Sequence, residues 1–141
     1  MLPISNIEHL IPQKVPFVMV DTLAEFSKEH VVSNYTIPEH NLFINNGKLL
    51  APGVIENMAQ TVALHTGYDY FLRNEKAPTG YIGSIKKVEI IALPNLNDVI
   101  TTKAAVLHEF MGVTMVKVEV LNSENEMLAF GEMKTVIAPD A

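Results

Sequence analysis

The chain has 141 residues, 48% of them hydrophobic, with a net charge of −6 and a mean hydropathy of +0.20. That length makes one domain, residues 1–141, with a sizeable core. The acidic balance argues against nucleic acid or an anionic membrane as partner, and no apolar run approaches the ~20 residues that span a bilayer.

Ile4, Ile7, Leu10 and Ile11 recur at helical spacing, which predicts a short helix over residues 4–11 with Ser5 as its N-cap and Pro12 as its stop. Residues 17–26 are rich in Phe and Val and predict a strand. A turn at Ser27–Glu29 leads to a second strand, residues 30–37, which Pro38 ends. Residues 39–52 read as a loop containing Asn45-Asn46-Gly47, a strong turn signal. A long helix is predicted over residues ~53–72. Ile55, Met58, Ala59, Val62, Ala63 and Thr66 form its buried stripe, while Glu56, Gln60, Ala63 and Gly67 share a second face. A helix this apolar on most sides belongs at the centre of a fold. Strands follow near residues 80–91, 97–110, 112–121 and 126–137, with short turns between them that imply antiparallel pairing.

One sheet and one buried helix make an α+β fold in which the sheet curls round the helix. An open edge strand is expected to pair with another subunit, giving a C2 dimer with a continuous sheet. The high hydropathy fits a core plus such an interface. The N-terminus lacks the basic segment and long apolar run of a secretory signal, so a cytoplasmic location is expected.

Chemistry is sought first at Glu56, read as a carboxylate in the first turn of an apolar helix. Burying a charge without a partner is costly, so either it does acid/base work or it complements the helix dipole. His40, in the preceding loop, is the imidazole that could work with it. Gly53 at the helix start offers a backbone N–H that could polarise a carbonyl, or serves only as a turn glycine. His65 is about two and a half turns from Glu56, roughly 13–14 Å along the helix, too far to pair with it. His9, His30 and His108 read as surface or structural. The chain has no Cys and no helical His pair at i, i+4 spacing, so neither disulfides nor a metal site is expected. No Gly-rich phosphate loop or nucleophile elbow appears, and no cofactor is expected.

Three segments now resemble a known family, the hotdog-fold 3-hydroxyacyl–acyl carrier protein dehydratases of the FabZ/FabA type. Residues 11–21 (Ile-Pro-Gln-Lys-Val-Pro-Phe-Val-Met-Val-Asp) resemble its Leu-Pro-His-Arg-x-Pro-Phe-Leu-Leu-Val-Asp segment. Residues 56–60 (Glu-Asn-Met-Ala-Gln) resemble its Glu-Ala-Met-Ala-Gln helix. Residues 81–88 (Tyr-Ile-Gly-Ser-Ile-Lys-Lys-Val) resemble its Phe-Ala-Gly-Ile-Asp-x-x-Arg strand. The family's catalytic His, from a Gly-His-Phe-Pro motif, would fall at Ile44. The chain is therefore more similar to a divergent branch, the dehydratase-like proteins of aryl-polyene pigment clusters. Their pattern His-Pro-Leu-Phe … Ile-Glu-x-Met-Ala-Gln-Thr-Val-Ala is matched by residues 40–43 and 55–63, and on it His40 stands in for the missing His.

The resemblance implies a hotdog fold and the dehydration of a 3-hydroxyacyl thioester, with Glu56 and His40 catalytic and contributed by opposite subunits. It places Gly53, Val54, Gln60, Phe43 and Gly83 along the substrate. It also implies an acyl carrier protein as partner and a homodimer or a heterodimer with another hotdog subunit. An acidic carrier would need a basic patch, for which Lys14, Arg73, Lys76, Lys86 and Lys87 are candidates unless they are simply solvated surface cations. Two other functions remain open: a weakly active or inactive subunit that pairs with an active dehydratase, and a thioesterase on the same fold.

Overall fold

The computed structural model describes residues 2–78 and 80–137. The elements run β1 (Thr22–Ser27), β2 (His30–Thr36), β3 (Ile44–Asn45), β4 (Lys48–Leu49), α1 (Ala51–Leu72), β5 (Gly80–Ile90), β6 (Val99–Phe110), β7 (Val113–Leu121) and β8 (Met127–Ile137). Six strands form one antiparallel sheet in the order β1-β2-β6-β7-β8-β5, and β3-β4 is a separate hairpin. The sheet curls round α1. Met58 and Leu64 of the helix are fully buried with Val31, Ile100, Val118 and Met133 of the sheet in one core.

The helix begins at Ala51, two residues before the expected start at 53. Pro52 lies in the first turn, where a missing N–H costs nothing. Glu56 then lies beyond that turn, which holds no acidic residue. This corrects the reading of Glu56 as a first-turn carboxylate, and with it the dipole explanation, because that effect fades within one turn.

Polar side chains pin the helix to the sheet and to the N-terminal segment. Ser33, Asn57, Gln60, Thr61 and Thr102 are all fully buried. Thr102 Oγ1 donates to Asn57 Oδ1 at 2.6 Å, and the Ser33 and Thr61 hydroxyls meet at 2.7 Å. Asn57 Nδ2 donates to Met19 O, also at 2.6 Å. Buried groups satisfied in this way fix one position of the helix on the sheet.

Two expectations for the N-terminal region are corrected. Residues 4–11 form no helix. Ile4 instead exchanges both backbone hydrogen bonds with Leu23 at 2.9 and 2.8 Å, and only one tight turn, Leu10 N–H to Ile7 O, follows. Ile7, Leu10 and Ile11 are nonetheless buried, so their spacing reported burial rather than helix. The strand expected over residues 17–26 begins only at Thr22. Met19 N–H and the Phe17 and Met19 carbonyls bond to Gln60 and Asn57 side chains instead.

The loop signal at Asn45-Asn46-Gly47 becomes the β3-β4 hairpin, with φ of +52° at Asn46 and +73° at Gly47. Two positive φ values at the tip favour Asn-Gly. This hairpin seats Phe43 and Leu49 over the start of α1. A Cβ on Gly53 would lie 2.5 Å from Leu49 Cδ1 and 3.0 Å from Phe43 Cβ, so the glycine lets these side chains pack close without a shift of Leu49.

Candidate active site

Glu56 is half-buried, one helical turn from the fully buried Gln60. Gln60 uses its whole amide. Its Oε1 accepts from Met19 N–H at 2.6 Å, and its Nε2 donates to Phe17 O at 2.8 Å and to Glu56 Oε1 at 3.1 Å. The carboxylate is therefore held at a fixed point while part of it stays accessible. Phe17, whose carbonyl takes the Gln60 amide, is itself 55% exposed.

His40 is exposed, and among the described residues it has no hydrogen-bond or ion-pair partner. It does not bond to Glu56 within this chain. Its neighbour Asn41 anchors the loop. Asn41 Nδ2 donates to Tyr35 Oη at 2.8 Å and to Met19 Sδ at 2.9 Å, and Asn41 Oδ1 accepts from Phe43 N–H at 2.8 Å. Burial pushes the Tyr35 hydroxyl above the usual tyrosine range, against the opposing pull of the Asn41 bond. The neighbouring Asp21 carboxyl is also raised by burial, partly offset by the Thr36 N–H it accepts at 2.7 Å.

The other expected site residues separate by environment. Gly53 is buried and its N–H donates to Leu50 O at 2.9 Å, so this donor is engaged in the helix start. Val54 is fully buried in the core. Phe43 is partly buried against it. Gly83 is exposed on β5 at a register shift between Ile82 and Ser84, a bulge that takes it out of the regular ladder with β8. The buried Gln13 Oε1 and Ser84 Oγ, each on a segment of the resemblance, have no hydrogen-bond partner among the described residues.

The remaining histidines serve structure or face solvent. His65 Nε2 bonds to Ser27 O at 2.9 Å and its ring stacks on Phe26. His30 Nδ1 meets Ser27 Oγ at 2.6 Å. His9 packs edge-on against Phe71, and His108 is exposed. Arg73 is occupied by Asp69 and Glu75 and lies over the Tyr70 ring. Lys87 lies 3.7 Å from Glu132, and Lys14 is tied to the Glu8 and Ile11 carbonyls.

Sequence reasoning missed Asn41 and Asn57 as site-building residues. Asn57 carried a usable signal, a polar residue on the buried face of an apolar helix. Asn41 carried none, because its partners Tyr35 and Met19 are distant or unremarkable in sequence.

Removing the Gln60 amide tests its positioning role. Gln60→Met would strand Met19 N–H and Phe17 O and is expected to cost about 1–2 kcal/mol. Denaturant melts check this; an unchanged midpoint would show that Met19 N–H and Phe17 O find other partners.

A single long helix held in the curl of an antiparallel sheet defines a hotdog-fold protein, and similar solved structures share that architecture. The chain belongs to the ApeP-like family, described as ApeP dehydratase, which residues 5–141 match. A chain of the dehydratase heterocomplex ApeI:P from Xenorhabdus doucetiae superposes with a TM-score of 0.87 at 20% identity, over 99% of this chain and 93% of that one. The PaaI protein of the Escherichia coli phenylacetic acid degradation operon gives 0.67 at 11% identity, over 81% and 80%. A hypothetical thioesterase from Streptococcus pneumoniae, solved with coenzyme A, gives 0.67 at 14%, over 84% and 88%. No curated protein sequence matches the chain. Among the described residues, no helix is long and apolar enough to cross a membrane.

Proposed function

We propose that this chain dehydrates 3-hydroxyacyl thioesters carried on an acyl carrier protein, in polyene-type biosynthesis, as one subunit of a hotdog pair. The observation that carries this reading is Glu56: a half-exposed carboxylate on a buried helix, fixed by Gln60. The reaction removes a proton from C2 and the hydroxyl from C3, which leaves as water. One group accepts the C2 proton and the other protonates the departing hydroxyl. Glu56 is one of these groups and His40 the other. Because the two do not bond within one chain, they are assigned to opposite subunits.

The β5 edge is where the pairing is expected. The outer edge of β1 already carries Ile4, whereas β5 presents Ile82 and Ile85 at 37% and 43% exposure. Pairing two such edges antiparallel would extend both sheets and satisfy their open backbone groups. Gly83, at its bulge, would then lie at the seam, where its backbone can approach the thioester.

A second reading is favoured by one residue. Ile44 stands where the FabZ/FabA-type His would fall, so this chain could supply Glu56 to a partner subunit that supplies the imidazole. The X. doucetiae structure is a dehydratase heterocomplex, ApeI:P, which fits a heterodimer here.

The test is to incubate the purified protein with 3-hydroxyacyl and 2-enoyl thioesters on a carrier protein. Enoyl formation or its hydration supports the dehydratase; free thiol release instead supports a thioesterase. Silence that a second hotdog subunit relieves supports the heteromeric reading. Light scattering is expected to show a dimer, alone or with that subunit, and a monomer at micromolar concentration under both conditions would refute the pairing.

A further inference from the structure

His40 stands on a stretch of chain that is held only at its ends. Among the described residues, Pro38, Glu39 and His40 make no hydrogen bond. Before them the chain is fixed at Ile37, whose N–H donates to Asp98 O and whose carbonyl accepts from Asn97 N–H, each at 2.9 Å. After them it is fixed at Asn41. Asn41 Oδ1 accepts from Phe43 N–H and Nδ2 donates to Tyr35 Oη, each at 2.8 Å, while Asn41 O accepts from Ile44 N–H at 3.3 Å. Asn41 is thus the anchor beside the imidazole, and it grips Tyr35, which is only 4% exposed. Burial keeps the Tyr35 hydroxyl protonated, so it donates to Met19 Sδ at 3.7 Å while it accepts from Asn41. Asn41 Nδ2 reaches the same sulfur at 2.9 Å. Met19 is fully buried, and its N–H and carbonyl are taken by Gln60 and Asn57 of α1, each at 2.6 Å. Gln60 in turn holds Glu56.

We infer that Tyr35 and Asn41 are positioning residues for His40, braced through Met19 on the segment that also supports Glu56. The inference rests on the dehydratase reading above for what His40 does, but not for how it is held. Fixing a free backbone costs entropy, and a stretch with no bond of its own keeps its shape only while its ends are held. A catalytic group displaced by about 1 Å can lose about a hundredfold in rate. The two supports meet at one residue: the backbone of Met19 serves the Glu56 side and its sulfur serves the His40 side. The Tyr35 hydroxyl is bonded inside the core and acts on the reaction only through the groups it holds.

Tyr35→Phe tests this by removing one buried oxygen and leaving the ring. Hydrogen exchange reads the loop without any substrate. Phe43 N–H keeps its acceptor in this variant, yet it is expected to exchange about tenfold faster, because Asn41 has lost its hold on the tyrosine. If Tyr35→Phe fails to fold, Asn41→Ala is read at Ile44 N–H, whose acceptor is a backbone carbonyl and remains. Turnover of a 3-hydroxyacyl substrate on a carrier protein reads the consequence, with the chain alone or with the second subunit that activates it. Either variant should lower kcat about tenfold with KM changed less than about twofold. In a His40→Ala background the same substitution should lower the residual kcat by less than about twofold, because the group it positions is already gone. Equal losses in both backgrounds would mark a merely structural role and overturn the assignment to His40, as would full activity in His40→Ala. Faster exchange with no turnover even in the wild type leaves the loop support standing and fails the dehydratase reading alone. Unchanged exchange in a folded variant overturns the support whatever the turnover.

Discussion

Glu56→Gln is expected to preserve the fold and to lower dehydratase turnover by about 10²–10⁴-fold, the usual contribution of a general acid–base group. The fold should survive because the amide has nearly the carboxylate's shape and its oxygen can still accept from Gln60 Nε2, now 3.1 Å from Glu56 Oε1. Turnover should not survive, because an amide cannot exchange the proton. His40→Ala should lose a similar factor. The double variant should lose little more than either alone, since residues that act as a unit are non-additive. Mixing the two single variants adds a sharper readout. If the groups act across a subunit interface, a mixture of Glu56→Gln and His40→Ala chains assembles some sites with both native residues. Partial recovery of activity on mixing is then expected. Full activity in Glu56→Gln would remove Glu56 from the mechanism. Full activity in His40→Ala together with a dead Glu56→Gln would assign the imidazole to a partner subunit or to another His.

The sheet after residue 80 was legible because each strand has the length and alternation of a half-buried strand, with a turn on each side. The central helix was legible for the opposite reason, an apolar surface on most sides with Pro52 and Gly53 at its start. The N-terminal region was not. Residues 4–11 and 17–21 have the composition of regular elements, yet their backbones are bonded to Leu23 and to the Asn57 and Gln60 side chains. Periodicity reports which side chains are buried, and here it did so correctly at Ile7, Leu10 and Ile11. It does not report which group a backbone N–H will find 41 residues away, as Met19 finds Gln60.

The candidate site divides along the same line. Glu56 stood out as a charge on an apolar helix, and its motif neighbours named Gln60. What holds them was hidden, because residues 17–19 have the composition of a strand while their backbone bonds to the Gln60 and Asn57 side chains. Gly53 shows the limit from the other side. A glycine before a helix suggests a free N–H, whereas here Leu50 O takes that N–H and the lack of a Cβ serves the packing of Leu49 and Phe43.

Gly67→Ala is expected to destabilise the protein by about 2–3 kcal/mol, although alanine is the better helix former by ~1 kcal/mol. The reason is the chain that crosses the helix at this point. A Cβ on Gly67 would lie 1.8 Å from Leu10 O and 2.8 Å from Leu10 C, and these are backbone atoms that no rotamer change can move. Leu10 itself is buried between Ile7 and Ile11, so the segment must lift as a unit and expose all three. Lifting it also pulls on residues 12–19, whose backbone holds Gln60 and through it Glu56. Turnover should therefore fall along with stability, from a substitution about 16 Å from Glu56 along the helix axis. Gly53→Ala is the matched control on the same helix. There the contact at 2.5 Å is the end of the flexible Leu49 side chain, which can turn aside. Thermal melts should rank the wild type above Gly53→Ala and Gly53→Ala above Gly67→Ala. A Gly67→Ala protein that melts at or above the wild-type temperature would mean that the N-terminal segment does not cross the helix at Gly67, and that the support it gives to Gln60 must be sought elsewhere.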